Sequence, residues 1–105
     1  MFALVVRFDL KDEESAKAFD ALVAETGIEI RAREPGTLIY ATHSVEGEPL
    51  ARVFYECYAD REAFEAHEVQ PHVIRFHKER EPYTQDARVE FLTVGPSKGL
   101  GSLDA

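Results

Sequence analysis

Three segments of this chain read as β-strands, and all three are apolar on both faces. In residues 2–9, Phe2, Leu4, Val6 and Phe8 point one way and Ala3 and Val5 the other, beside Arg7 and Asp9. In residues 38–45, Leu38 and Tyr40 oppose Ile39 and Ala41. In residues 51–59, Phe54 and Tyr58 oppose Val53, Tyr55 and Cys57. An antiparallel sheet with helices on one face normally keeps its other face polar. A single layer of helices leaves the second apolar face of this sheet bare, as an unusually large exposed patch. The simplest cover is another copy of the chain, so the strands predict a homodimer. The competing reading leaves these side chains scattered singly on the surface, where apolar residues are tolerated.

The rest of the chain supplies the helices. After the first strand, Asp12 is a candidate helix cap and Glu13 and Glu14 suit the positive end of a helix. Ala16, Phe19, Leu22, Val23 and Thr26 follow at helical spacing, and Gly27 is the expected stop, giving a helix over 13–26. Glu34-Pro35-Gly36 reads as a turn. The strands 38–45 and 51–59 form a hairpin with a loop of about four residues around Glu46-Gly47-Glu48-Pro49. Asp60 caps a short helix from Arg61 to Glu68, and Pro71 opens another that ends near Glu81-Pro82. Residues 89–94 alternate as a last strand. The order is β-α-β-β-α-β with the second helix broken in two. That order predicts a ferredoxin-like α+β fold, a four-stranded antiparallel sheet with helices on one face.

The length, 105 residues, fits one domain, expected over 1–94, with a loose Gly- and Ser-containing tail over 95–105. The net charge of −8 and the scattered Lys and Arg speak against nucleic acid and anionic membranes as partners. No apolar run approaches the roughly 18 residues of a membrane helix. The N-terminal stretch lacks the basic flank of a signal peptide, so a cytoplasmic location is expected. A single cysteine, Cys57, excludes an intrachain disulfide and reads as a small buried hydrophobe.

The most distinctive stretch runs from Phe54 through Glu56, Tyr58 and Asp60 to Ala66-His67, then Pro71-His72 and Phe76. A strand with a central Glu leads into a short helix closing in Ala-His, then into Pro-His, with Glu34-Pro35-Gly36 upstream. This pattern resembles the antibiotic-biosynthesis-monooxygenase (ABM) superfamily. The motifs span about residues 34–77, and the element order extends the likeness to nearly the whole chain. The resemblance implies a dimeric α+β barrel, two sheets packed together, with a ligand pocket in each protomer between sheet and helices. Relatives include cofactor-free oxygenases of polycyclic phenols and quinols, haem-degrading enzymes and small-metabolite isomerases.

Two roles fit Glu56. Turned into a pocket, it is a base or a hold on a substrate hydroxyl, with its pKa raised by burial. Turned outward, it pairs with Arg52 or Arg61. His67 also has two readings: a proton-transfer group near neutral pH, or a helix-end histidine bonded to a carbonyl or to Glu56. His72, beside Pro71, suits a local hydrogen bond or a place at the ligand. Tyr58 stands where relatives often carry Trp, and the chain has no Trp. Tyr58, Tyr40, Phe64, His72 and Phe76 are the candidate substrate contacts, whose rings can stack on an aromatic ligand or pack the core.

No metal or other cofactor is expected. His67, His72 and His77 recur every five residues, about 140° past a full helical turn, so they diverge on one continuous helix. His77 falls near the iron ligand of the haem-degrading branch. However, the first strand has Val5-Val6-Arg7 where that branch carries Asn, and His67 replaces its helical Trp, so two of three hallmarks are absent. Three functions remain in view. One is a cofactor-independent monooxygenase of an electron-rich aromatic, a quinol or an anthrone-like polyketide, with His67 and Glu56 as base and orienter. The second is a small-metabolite isomerase, with Arg7 or Arg52 turned into a more polar pocket. The third is a noncatalytic binding or stress-associated dimer whose pocket is filled by its own side chains.

Overall fold

The computed structural model describes residues 1–100. Its elements are β1 (Phe2–Leu10), α1 (Glu13–Arg33), β2 (Thr37–Val45), β3 (Glu48–Tyr58), α2 (Arg61–Glu68), α3 (Pro71–Arg80), a 3₁₀ turn (Glu81–Tyr83) and β4 (Thr84–Leu92). The four strands are antiparallel, in the spatial order β2-β3-β1-β4. This is the expected ferredoxin-like α+β arrangement, second helix broken in two. Residues 93–100 carry neither strand nor helix, and the remainder of the 95–105 segment lies outside the described residues.

The core lies between the sheet and its helices. Leu4, Val6, Phe8 and Leu10 of β1 meet Phe54 and Tyr58 of β3, Ala16, Phe19 and Leu22 of α1, and Phe76 of α3. Phe8 sits at the centre of an aromatic cluster, its ring 5.1 Å from Phe19, 5.0 Å from Phe54 and 6.0 Å from Phe76. Cutting a ring such as Phe19 back to Ala removes about 3–5 kcal/mol. The opposite face carries Val5, Ile39, Ala41, Val53 and Tyr55, all half-buried, with Arg7 tied to Asp9 and Glu48 at its end.

Three boundaries differ from the sequence expectation. First, α1 does not stop at Gly27 but runs on to Arg33. No residue there has a positive φ, so the glycine is not acting as a terminator. Ile30 continues the buried stripe of Phe19, Leu22 and Thr26, and Arg33 pairs with Glu29 one turn back. Burial of Ile30 outweighs the roughly 1 kcal/mol that a mid-helix glycine costs. The true stop is Pro35, which keeps Glu34 out of the helical region (φ −122°, ψ 78°).

Second, the hairpin loop has two residues, Glu46 and Gly47, because β3 begins at Glu48. Gly47 takes a φ of +79°, open to glycine without strain. Third, β4 begins at Thr84, five residues before the apolar alternation starts at Val89. It is an edge strand that the helices leave mostly uncovered, so its first half has no need of an apolar pattern.

The expected caps are formed. The Asp12 carboxylate accepts from the Ser15 N–H at 2.8 Å, and that of Asp60 from the Ala63 N–H at 2.8 Å. Pro71 occupies the first turn of α3. Cys57 is buried and free. Among the described residues, no helix is long and apolar enough to cross a membrane.

Candidate functional site

A groove with a cavity volume of about 110 Å³ lies between β1, β3 and β4 on one side and α2 and α3 on the other. Its apolar walls include Leu4, Phe54, Phe76, Val89 and Phe91, and its polar edge holds Glu56, His67, Glu68, His77 and Arg80. Val89 and Phe91 stand on the uncovered edge strand and are exposed, so the mouth opens along β4.

His67 comes from the last turn of α2 and is buried. Its Nδ1 lies 2.6 Å from Glu34 Oε1. A carboxylate only accepts, so Nδ1 carries a hydrogen, and the tautomer this selects for a neutral imidazole has its lone pair on Nε2. Nε2 faces Glu56 Oε1 at 3.8 Å, too far for a hydrogen bond. Glu34 also accepts from Thr37 Oγ1 at 2.7 Å, and its other oxygen lies 2.5 Å from His72 Nε2. Burial by itself pushes the Glu34 carboxyl up. The bonds from His67, Thr37 and His72 outweigh burial and hold the carboxyl below the ordinary carboxylate range, so it stays charged.

This arrangement depends on a close approach. Gly36, two residues past Glu34, packs on α2 so tightly that a Cβ there would lie 2.7 Å from Ala63 Cβ. The Ala59 N–H also bonds the Gly36 carbonyl at 2.9 Å. The Glu-Pro-Gly turn therefore lies against the start of α2 and delivers the Glu34 carboxylate beneath His67.

Glu56 points inward from the middle of β3 and is buried. Neither arginine considered for it is its partner. Arg52 donates to Asp20 through Nε and Nη2, and Arg61 lies over the Phe2 ring. Instead the Tyr58 hydroxyl donates to Glu56 Oε1. Burial raises the Glu56 pKa, opposed in part by Tyr58 and His67. Burial first, and then the neighbouring Glu56 and Glu34 charges, push both Tyr40 and Tyr58 far above the usual phenol range, so both stay protonated.

Of the candidate contacts, Tyr40, Phe64 and Phe76 line the groove together with Glu56 and His67. Phe64 also packs on Phe2 and Phe91. Tyr58 and His72 do not reach it. Tyr58 is 0% exposed, with its ring against Phe64 and His67 and its hydroxyl spent on Glu56. His72 bonds Glu34, thirty-eight residues away, rather than a local group. Both support the groove from behind. His77 lies at the mouth, its Nε2 3.6 Å from Glu68, and burial followed by the Arg80 charge lowers its pKa against the pull of Glu68. Among the described residues, no three His, Cys, Asp or Glu side chains converge as a metal site.

Two residues of the site, Arg80 in the groove and Glu34 behind it, were not singled out by the sequence. Arg80 belongs to the charged end of α3, where a basic residue is expected on any helix. Glu34 lay in a turn. Its only trace was the Glu-Pro-Gly motif, which marks a turn and does not show where the carboxylate goes.

A four-stranded antiparallel sheet under three helices, with an acid- and histidine-edged groove between them, defines a ferredoxin-like domain of the small ligand-binding kind. The chain belongs to the antibiotic biosynthesis monooxygenase family, whose sequence pattern matches residues 1–79. It is similar to the crystal structure of an antibiotic biosynthesis monooxygenase, with 25% identity over 91% of this chain and 100% of the other and a TM-score of 0.81. It shares the fold of SnoaB, a cofactor-independent oxygenase from Streptomyces nogalater, at 17% identity over 93% and 96% of the two chains and a TM-score of 0.80. No functionally curated protein matches the sequence.

Proposed function

We propose that this protein is a cofactor-independent monooxygenase that oxidises an electron-rich aromatic, a quinol or an anthrone-like polyketide, in the groove beneath α2 and α3. One observation carries the reading: Glu34 holds His67 so that the Nε2 lone pair faces an aromatic-walled groove. That is the arrangement of an oriented general base. His67 takes a proton from the substrate, and the imidazolium formed lies between the carboxyls of Glu34 and Glu56. The substrate anion then passes an electron to dioxygen, and the two radicals combine to a peroxide anion that takes the proton back from the imidazolium to become a hydroperoxide. Loss of water from that hydroperoxide turns the attacked ring carbon, a CH₂ in the keto form of the substrate, into C=O. One atom of O₂ ends in the carbonyl and the other in water, with all four electrons supplied by the substrate. Tyr40, Phe64 and Phe76 pack against the ring, and the protonated Tyr40 hydroxyl is a donor for the developing oxyanion.

The isomerase reading asked for Arg7 or Arg52 in the pocket. Arg7 lies on the opposite sheet face and Arg52 is engaged by Asp20. The noncatalytic reading asks for a cavity filled by its own side chains, whereas this groove keeps about 110 Å³ unfilled and is open along β4. The oxygenase reading is tested by oxygen consumption with a panel of quinols and anthrones. Saturable uptake that survives chelation and collapses in His67→Ala supports it. Uptake no faster than buffer across the panel removes it for those substrates.

The working unit in this proposal is a homodimer. The half-buried Val5, Ile39, Ala41, Val53 and Tyr55 form the sheet face that no helix of the chain covers, and a second copy placed there makes a barrel of two sheets.

A further inference from the structure

Arg80 stands out among the partly buried cations. Arg7 is paired with Asp9 and Glu48, and Arg52 with Asp20. Arg80 ends α3, lines the groove, and among the described residues has no ion pair. Its Nε is buried with no hydrogen-bond acceptor. The guanidinium carbon sits 5.1 Å from the centre of the Phe8 ring, an attraction that satisfies none of the N–H donors. The chain has 20 acidic residues against 12 basic, yet among the described residues the carboxylate acting on Arg80 is Glu81, next along the backbone. Glu68, which shares the groove, is turned to His77. A buried donor and a desolvated cation are both costly when left unmatched. Guanidinium remains protonated even when burial lowers its pKa, so the charge persists.

We infer that Arg80 anchors a carboxylate carried by the groove's aromatic ligand, the acid lying on the guanidinium fork and the ring between Phe76, Val89 and Phe91. This rests on the reading of the groove as a ligand site and narrows its substrate to planar aromatic acids. The planar fork of Arg fits a carboxylate through two parallel bonds. Arg80 and His67 line the same groove, so a ligand tethered by its acid at Arg80 can present its reacting carbon to His67.

The test is equilibrium binding by the full chain under nitrogen, where no turnover occurs. Two fluorescent probes share one ring system, and only one is charged: 1-hydroxy-2-naphthoate and its methyl ester. Wild type is expected to bind the acid at least about tenfold more tightly than the ester. Arg80→Gln should lose the preference for the acid, with an unchanged circular-dichroism spectrum and Tm showing that the protein has folded, and Arg80→Lys should recover part of the preference. In ¹H–¹⁵N spectra the Arg80 Nε–H signal, identified by its loss in R80Q, should move with the acid and not with the ester. Equal binding of the two probes by wild type, an acid preference that survives R80Q, or no binding of either probe overturns the assignment. Oxygen uptake is measured separately. Acid binding through Arg80 without uptake for any quinol or anthrone removes the oxygenase reading and keeps this one. Uptake without an acid preference does the reverse.

Discussion

Glu34 and His67, thirty-three residues apart in sequence, are joined by a 2.6 Å hydrogen bond between Oε1 and Nδ1. This one contact sets the tautomer of the histidine and turns its basic nitrogen to the groove. The same carboxylate holds His72 and Thr37, so a single side chain ties α2, α3 and β2 together.

Glu34→Gln tests that arrangement. An amide has one acceptor oxygen where the carboxylate has two, so one histidine faces an NH₂ group. The variant should lose about 1–3 kcal/mol at neutral pH, the cost of one stranded buried donor, measured by urea unfolding. The folded pKa of Glu34 is lowered, so its contribution is complete above the unfolded carboxylate pKa and is lost as pH falls through the folded value. The gap between wild type and E34Q should therefore narrow below about pH 4. A gap that stays constant into acid shows that the charge does not matter.

Glu56→Gln has the opposite pH signature. The folded pKa is raised, so the native state holds this proton more tightly than the unfolded chain does. Its stabilisation is fully present below the unfolded pKa, near about 4.3, and is lost as pH rises through the folded value. The amide keeps an acceptor for Tyr58 and never ionises. The Tm of E56Q relative to wild type should rise between pH 4 and pH 8. A flat difference places the carboxylate in a solvated setting.

Gly27→Ala should stabilise the protein. The glycine is inside α1 without a positive φ, and a Cβ there meets nothing within 4 Å. Alanine should add about 0.5–1 kcal/mol by its helix propensity and a less flexible unfolded chain. A loss of stability means that another surface packs against this position.

The mass in solution tests the proposed dimer. Light scattering should give twice the chain mass of 11.9 kDa. Val53→Asp, on the uncovered sheet face, should shift the protein toward monomer. A wild-type mass of one chain overturns the dimer.

The parts of the fold that depend on neighbours in sequence were the parts legible in it. Asp60 and Pro71 placed α2 and α3 because caps and proline act within one turn. The alternation of Phe2 to Phe8 marked β1, whose buried set is the one expected. β4 was half seen, because an uncovered edge strand carries an apolar pattern only where it walls the groove, at Val89 and Phe91. Gly27 misled, since its meaning depends on whether Ile30 finds a core to enter, and that is a tertiary fact.

The sequence by itself determined the element order and the family, because short-range patterns and motif spacing carry that information. Tertiary structure alone decided what the site contains. Extending α1 past Gly27 carries the chain on for about two more helical turns, and the Pro35-Gly36 turn then brings Glu34 under His67. Packing likewise withdrew Tyr58 and His72 behind the groove and left Arg80 facing into it without a counter-ion. The physical reason is common to all of these. A buried charge or lone pair takes its character from partners thirty or more residues away, and no local pattern reports which partner arrives.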